Sequence, residues 1–242
     1  AIDSFKGCLS SQEVEETFAG ALQQQGAEII ALPMSDGGEG MLEAFISALQ
    51  GSFIDAPSHD PLMRPIRARY GRTADGTAVI ETARACGLTL MTAEERNPLL
   101  ATTYGVGELI AHAIIQGCRN FIIGLGGSGT SDAGTGMLQA LADNFTTSQK
   151  IEELPDSCLK ECHFTLACDV RNPLYGLHGA AHIFGPQKGA TPEMVNQLDE
   201  RAKRFAQESA RRMGIDLSQH PGAGAAGGLG YAFLQYFHTR ME

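Results

Sequence analysis

The residues best suited to chemistry lie in a glycine-rich stretch that follows an apolar run, IIGLGGSGTSDAGTGM at positions 122–137. Glycines allow positive φ angles and a close approach of backbone N–H groups to a ligand, and a helix N-terminus attracts anions. The pattern predicts a strand that ends at Gly124, a phosphate-binding loop, and a helix that opens near Thr135. A tight strand-to-helix turn without a ligand is the alternative interpretation.

Two lysines directly precede a glycine in turn-like sequence, Lys6 in SFKG and Lys188 in PQKG. We therefore expect these two cations near an anionic ligand. Lys6 also lies on an expected strand-to-helix loop, which is where open α/β sheets usually bind ligands. For Lys6, a solvated position on the protein surface is the alternative.

Carboxylates occupy comparable loops. Asp36 and Glu39 lie in the turn DGGEG, where they could hold Mg²⁺ or substrate hydroxyls, or else cap the helix that follows. Asp132 is either a helix N-cap or, if ATP binds there, a partner of Mg²⁺. Asp169 comes at the carboxyl end of an expected strand, a position suited to catalysis or metal binding.

The periodicity of the chain predicts the elements that hold these loops. Helices are expected from Ser10 to Gly26, from Met41 to Leu49, from Thr102 or Thr103 to Gln116, and from Thr191 to just before Gly214. Strands are expected at 28–32, 66–70, 78–81 and 163–170, with the second and third forming a hairpin. The stretch at 221–230, PGAGAAGGLG, is expected to open a helix and to let another backbone or a ligand come close.

Composition limits the possible partners and compartments. The chain has 242 residues and a formal net charge of -10, which argues against nucleic acid or an anionic membrane surface as a partner. Its six cysteines lack the paired spacing of zinc sites, and the sequence shows neither a secretory leader nor a membrane-spanning run. We therefore expect a reduced, cytoplasmic compartment.

Seven motifs, in order along the whole chain, resemble the type I bacterial glycerate kinase family, to which enzymes of the galactarate and glyoxylate pathways belong. They are DSFKG from Asp3, DGGEG from Asp36, RNPL and TTYGVGELI from Arg96, GLGGSGTSDAGTGMLQAL from Gly124, ACDVRNPLYG from Ala167, FGPQKGA from Phe184, and PGAGAAGGLG from Pro221. The chain departs from the family pattern at Ile2, at Ser35 and in the loop at 128–136. In that loop, small residues of this chain stand mostly where the family also has small residues.

The resemblance implies an α/β fold with two domains. Residues 1–60 would form the first part of an incomplete Rossmann- or flavodoxin-like domain, residues 61–235 an inserted α/β domain, and residues 236–242 the start of the return. Family members are longer and carry a TGEG-type loop that this sequence lacks. The sequence opens at Ala1 without an initiator Met, and Glu242 follows an apolar helix with no cap or closing strand expected after it. We therefore expect a truncated fragment.

The resemblance also implies the reaction, transfer of the γ-phosphoryl group of ATP to D-glycerate to give 2-phosphoglycerate and ADP. Phosphoryl transfer needs positioned donors, Mg²⁺ and a carboxylate base. The expected catalytic residues are Asp169 as the base, Lys6 and Asp132. The expected nucleotide-binding residues are Gly126, Gly127, Ser128, Thr130 and Lys188. The expected substrate-binding residues are Asp3, Ser4, Asp36, Glu39, Thr102 and Thr103. The expected metal ligands are Asp132 and Asp36, and a homodimer is compatible with this assignment.

Two other functions remain open from the sequence. Either glycine-rich stretch matches GxGxxG, which would suit a nucleotide-dependent dehydrogenase, but no acidic residue follows at a strand end to hold the ribose. An inactive remnant or a non-catalytic protein that binds a metabolite or nucleotide is the third candidate.

Overall fold

A computed structural model describes residues 11–24 and 37–242. Within these ranges the strands are β1 Ser52–His59, β2 Pro65–Arg72, β3 Ala78–Glu81, β4 Asn120–Gly124, β5 His163–Ala167 and β6 His238–Met241. The α-helices are α1 Ser11–Gln23, α2 Met41–Ala48, α3 Ala83–Cys86, α4 Tyr104–Ile115, α5 Thr135–Phe145, α6 Ala180–Phe184, α7 Pro192–Met213 and α8 Leu229–Tyr236. Together they form a mixed α/β fold.

The strands form one sheet in the order β1-β2-β3-β4-β5-β6. The pairs β1-β2 and β2-β3 are antiparallel, whereas β3, β4, β5 and β6 run parallel. The register places Glu81 opposite Gly124, and Gly124 opposite Ala167. The carboxyl ends of three neighbouring strands therefore meet side by side, which is where parallel sheets present their loops.

Helices cover the two faces of the sheet. On one face Val79 packs with Met41, Leu42 and Ile46 of α2. The other face, which includes Phe121 of β4, belongs to a larger cluster to which α4, α5 and α8 contribute. Because successive residues of a strand point to opposite faces, the continuous apolar runs of β3 and β4 feed both clusters, as expected for buried parallel strands.

The expected long helix after Thr191 is confirmed as α7. The Thr191 hydroxyl accepts a hydrogen bond from the Met194 N–H group at 3.3 Å, Pro192 begins the helix, and Gly214 ends it at a φ of 74°. The expected helices at α2 and α4 and the hairpin of β2 and β3 are also confirmed, with ends within two residues or so. The cap at Ser10 and the strand at 28–32 lie outside the described residues.

Two strands were not expected from the sequence. β1 pairs with β2 along its whole length, and β6 adds to the sheet beside β5, so the expectation that no strand follows the last helix is wrong. Both lie at the edges of the sheet that the described residues form, and at such edges polar side chains are favoured and the alternation of apolar residues is weak. β5 ends at Ala167, three residues earlier than expected.

The division into domains at residues 60 and 235 stays a prediction. The β1-β2 hairpin spans the first of these positions, and β6 begins just after the second. No helix in the described part of the chain is both long and apolar enough to cross a bilayer.

The second glycine-rich stretch, residues 221–230, packs against the backbone of the central loop. The sequence predicted that another backbone or a ligand would come close to this stretch. Gly227 has a φ of +66°, and a Cβ there would overlap the carbonyl oxygen of Thr130. The Gly227 carbonyl oxygen accepts a hydrogen bond from the Ala133 N–H group at 3.0 Å. Ala133 and Ala226 both have positive φ angles, of 55° and 50°, so this contact also holds two strained alanines.

Gly227→Ala should lower the free energy of unfolding by at least about 3 kcal/mol, because the new methyl group adds overlap to the cost of a positive φ. The matched control is Gly176→Ala. Gly176 has a φ of +95° with open space around it, so only about 1–2 kcal/mol of backbone strain is expected there. Urea denaturation of both variants measures the difference, and equal losses would contradict the packing argument.

Candidate functional site

Two glycine-rich turns meet at the carboxyl edge of the sheet. The Gly126 N–H group donates to the carbonyl oxygen of Gly37 at 3.1 Å, and the Leu125 N–H group donates to that of Ala167 at 3.3 Å. A Cβ on Gly37 would lie 2.7 Å from the Ala167 oxygen, and one on Gly126 would lie 2.5 Å from Gly38 Cα. Only glycine permits this backbone contact, so the DGGEG turn, the central loop and the end of β5 form one unit.

The central loop is also anchored on its other side. The Leu88 N–H group donates to the Gly127 oxygen at 3.0 Å, and the Gly129 N–H group donates to the Cys86 oxygen at 2.7 Å. Two loop amides, those of Gly126 and Gly129, are thus engaged within the protein. The role of the Gly126 amide as a phosphate donor stays a prediction, and it requires the bond to Gly37 to open.

Lys188 lies beneath this loop, so two motifs that are distant in sequence are brought together. Its side chain is 2% exposed, and its Nζ donates to Ser128 Oγ at 3.0 Å and to the Thr130 carbonyl oxygen at 2.6 Å. Burial lowers the pKa of Lys188 to about 8, partly offset by the negative charge that Cys86 and Asp132 can carry. Ser128, Thr130 and Lys188, three of the expected nucleotide-binding residues, therefore form one buried cluster.

Asp132 is bonded to protein groups through both carboxylate oxygens. Oδ2 accepts from the Thr103 N–H group at 2.9 Å, from the Thr103 hydroxyl at 2.8 Å and from the Gly136 N–H group at 3.1 Å. Oδ1 accepts from the Gly134 N–H group at 3.0 Å. The N-cap of α5 is Gly134, so the expectation that Asp132 itself is the N-cap residue is wrong. From two residues earlier, its carboxylate still accepts N–H groups at the start of α5 and ties them to the start of α4.

The two threonines share this role. The Thr103 hydroxyl accepts from the Met137 N–H group at 2.9 Å, and the Thr102 hydroxyl accepts from the Tyr104 N–H group at 3.2 Å. The amides of the first turn of α5 are thus occupied by Asp132 and Thr103 rather than open to a phosphate. The role of Thr102 and Thr103 in binding substrate stays a prediction.

The remaining expected residues divide into two groups. Asp169 is exposed just beyond the carboxyl end of β5, and Glu39 is exposed on the turn that precedes α2. Asp3, Ser4, Lys6 and Asp36 lie outside the described residues. Among the described residues, no group of three or more His, Cys, Asp or Glu side chains could hold a metal ion.

Sequence reasoning missed a buried carboxylate at the same edge of the sheet. Glu81 ends β3 and is 2% exposed, and burial raises its pKa although Arg84 lies 3.5 Å away. Arg84 also pairs with Glu43 of α2 at 2.6 Å. A charged residue at the end of an apolar strand run was the available signal, because such a position lies at the ligand-binding edge of a parallel sheet.

A cavity of about 330 Å³ beside Asp132 was also missed. Ser131 and Asp132 line one side, and Arg201 and Arg204 of α7 line the other. The helical periodicity of α7 predicts which residues pack inward, but it does not predict which part of the chain its polar face meets.

Comparisons with known proteins identify the family. A sequence model of the glycerate kinase family matches residues 1–242. The chain belongs to the glycerate kinase family. It is 43% identical to the glycerate kinase of Haemophilus influenzae, over 97% of this chain and 67% of that protein. It is 40% identical to the glycerate 2-kinase of Escherichia coli, over 100% of this chain and 68% of that protein.

A solved structure extends the family relationship to the fold. A Salmonella typhimurium protein, provisionally assigned as a glycerate kinase 2, matches with a TM-score of 0.84 at 36% identity. The match covers 99% of this chain and 69% of that one, so the chain spans about two thirds of the family members it matches. The expected α/β class and the expected family are both confirmed.

Asp132→Ala should lower the free energy of unfolding of this family member by about 3 kcal/mol, because buried N–H groups of Thr103, Gly134 and Gly136 lose a charged acceptor. Asp132→Asn keeps one carbonyl acceptor and should lose less. Urea denaturation measures both, with the exposed Asp156→Ala as control. An Asp132→Ala protein as stable as the wild type would contradict this role of the carboxylate.

The stability contribution of Lys188 should depend on pH. Its pKa in the folded protein, about 8, lies below the ordinary value of 10.5, so the unfolded chain binds more protons between these values. The desolvation cost is fully present below pH 8 and is lost as the pH rises. We expect the stability of the wild type relative to Lys188→Met to increase by about 1–3 kcal/mol between pH 7 and pH 10.

Urea unfolding at several pH values measures this difference. Lys203→Met is the control, because Lys203 of α7 is 43% exposed. A wild-type advantage over Lys188→Met that stays constant, or that falls as the pH rises, would contradict the burial argument.

Proposed function

We propose that this protein transfers the γ-phosphoryl group of ATP to a hydroxyl of D-glycerate, giving 2-phosphoglycerate and ADP. The observation that carries the proposal is the family match over all 242 residues, together with curated relatives named glycerate kinase and glycerate 2-kinase. The phosphorylated position, D-glycerate as the acceptor and ATP as the donor are parts of the proposal.

The convergence of family motifs at one edge of the sheet supports it. Phosphoryl transfer is catalysed mainly by positioning and by electrostatic stabilisation, so it needs a rigid, side-chain-poor cradle. The contacts of Gly126 with Gly37 and of Lys188 with Ser128 bring three motifs together there. We infer that the triphosphate lies along this edge.

Asp169 is our proposed general base. It lies two residues beyond β5 and is exposed, so its carboxylate is accessible to a substrate hydroxyl at the edge where the glycine-rich turns meet. A carboxylate in this position would accept the hydroxyl proton as the new bond to phosphorus forms. Lys6 is proposed to neutralise phosphate or the glycerate carboxylate.

The residues around Asp132 do not fit a metal ion. Its two carboxylate oxygens already accept hydrogen bonds from Thr103, Gly134 and Gly136, and a metal would have to displace them. Mg²⁺ commonly binds proteins through one or two carboxylates together with substrate phosphates. We therefore propose that Mg²⁺ enters with ATP and is bound by Asp36 rather than by Asp132.

The setting of the enzyme is part of the same proposal. We propose a cytoplasmic enzyme that acts on a small organic acid, without nucleic acid or membrane as a partner, and a homodimer as its assembly. The net charge of -10 supports the absence of nucleic acid.

Asp169→Asn should lower kcat by about 10²–10⁴-fold with an unchanged melting temperature, because it removes a proton acceptor from an exposed position. The protein is incubated with ATP, Mg²⁺ and D-glycerate, and the product is identified by phosphorus NMR. Asp156→Asn, also exposed, is the matched control.

The outcomes separate the remaining interpretations. A wild-type protein that binds nucleotide but forms no phosphoglycerate would favour a non-catalytic binding protein. Full activity in Asp169→Asn would remove Asp169 as the base and leave the reaction itself standing.

A further inference from the structure

We propose that Lys188 is a positioning residue: its buried ammonium holds the segment from Ser128 to Ser131 in the shape that receives an anionic phosphate, without touching the ligand. This inference rests on the proposed phosphoryl transfer for its ligand class. It replaces the expectation that Lys188 itself contacts the nucleotide, because a residue that is only 2% exposed to solvent has almost no accessible surface for a ligand to touch.

The Lys188 ammonium donates hydrogen bonds to two residues of the loop. Nζ donates to a side-chain oxygen at Ser128 and to a main-chain oxygen at Thr130, so it fixes two points of the segment. The Lys188 backbone is itself held: its N–H group donates to the Gly185 oxygen at 3.0 Å. Gly189 follows with a φ of +91°, and a Cβ there would lie 2.7 Å from the Arg96 oxygen.

One hydroxyl in this segment has no partner within the described chain. Ser131 Oγ is buried without a hydrogen bond, and the residue is 8% exposed. The neighbouring Thr130 hydroxyl, also buried, lies beside the Cys86 thiol. Buried polar groups are normally paired, and an unpaired one needs an explanation such as a bound ion or water. An unpaired hydroxyl in a segment that a buried cation holds indicates a shape suited to an anionic, hydrogen-bonding group.

The charge of Lys188 also indicates an anionic ligand at this loop. Among the described residues, no carboxylate forms an ion pair with it, and the acceptors of its bonds are neutral oxygens. A buried cation without a bonded counterion is costly unless something compensates it. The titratable groups that act on it are Cys86 and Asp132, and the carboxylate of Asp132 is bonded to α4 and α5 instead. A phosphate bound over the loop would supply the missing negative charge.

A double-mutant cycle tests whether Lys188 acts through the loop. We expect Lys188→Met to raise the KM for ATP about tenfold and Ser128→Ala about threefold, with kcat reduced less in each. The double variant should be no worse than Lys188→Met, because residues that act as one unit are not additive. Lys203→Met, a partly exposed lysine of α7, should leave both parameters unchanged.

Hydrogen exchange provides a readout that does not depend on activity. In Lys188→Met the Gly129 amide, bonded to the Cys86 oxygen in this structure, should exchange at least tenfold faster, while amides in the middle of α7 keep their wild-type rates. If Lys188→Met does not fold, Ser128→Ala decides: a faster Gly129 amide supports the proposal, and an unchanged one overturns it.

The outcomes distinguish this inference from the proposed function. Additive effects on KM, or a KM for ATP equal to that of the wild type, would overturn the role of Lys188. A wild-type protein without kinase activity would instead remove the proposed function, and the exchange rates would still decide whether Lys188 holds the loop.

Discussion

Close contact between backbone segments at the carboxyl edge of the sheet is the constraint on which the rest of the structure depends. Gly37, Gly126 and Ala167 approach so closely that a Cβ at either glycine would meet backbone atoms. Glycine carries no Cβ, so it alone allows the turn before α2, the central loop and the end of β5 to share main-chain hydrogen bonds. The contact places the turn before α2, the central loop and the end of β5 at one edge of the sheet.

Two charged side chains, the partly buried Asp132 and the buried Lys188, contact the same loop in different ways. At the helix end, Asp132 gives α5 the negative partner that its N-terminus favours and fastens it to α4. In the middle of the loop, the Lys188 ammonium donates to the Ser128 hydroxyl and to the Thr130 carbonyl oxygen. The first charge is locally satisfied and serves the fold. The second is left without a bonded counterion among the described residues, and it is therefore the one we connect with a ligand.

The family relationship and the geometry answer different questions. The match over the whole chain establishes the family, and the TM-score of 0.84 to the Salmonella typhimurium protein shows that the fold is shared. The contacts among the loops show that the motifs pack against one another in this chain. Gly227 against Thr130 and Gly189 against Arg96 are pairs of this kind.

The sequence by itself determined the family, the α/β class and the elements whose ends carry strong local signals. The cap at Thr191, the proline after it and the glycine at 214 defined α7 because capping depends on neighbouring residues alone. The tertiary structure decided the rest. The polar edge strands β1 and β6 form only because a neighbouring strand supplies hydrogen bonds, so their own sequences carry little signal. Whether Lys188 faces solvent, ligand or loop, and whether Asp132 binds metal or amides, depends on segments distant in sequence that only the folded chain brings within hydrogen-bond distance.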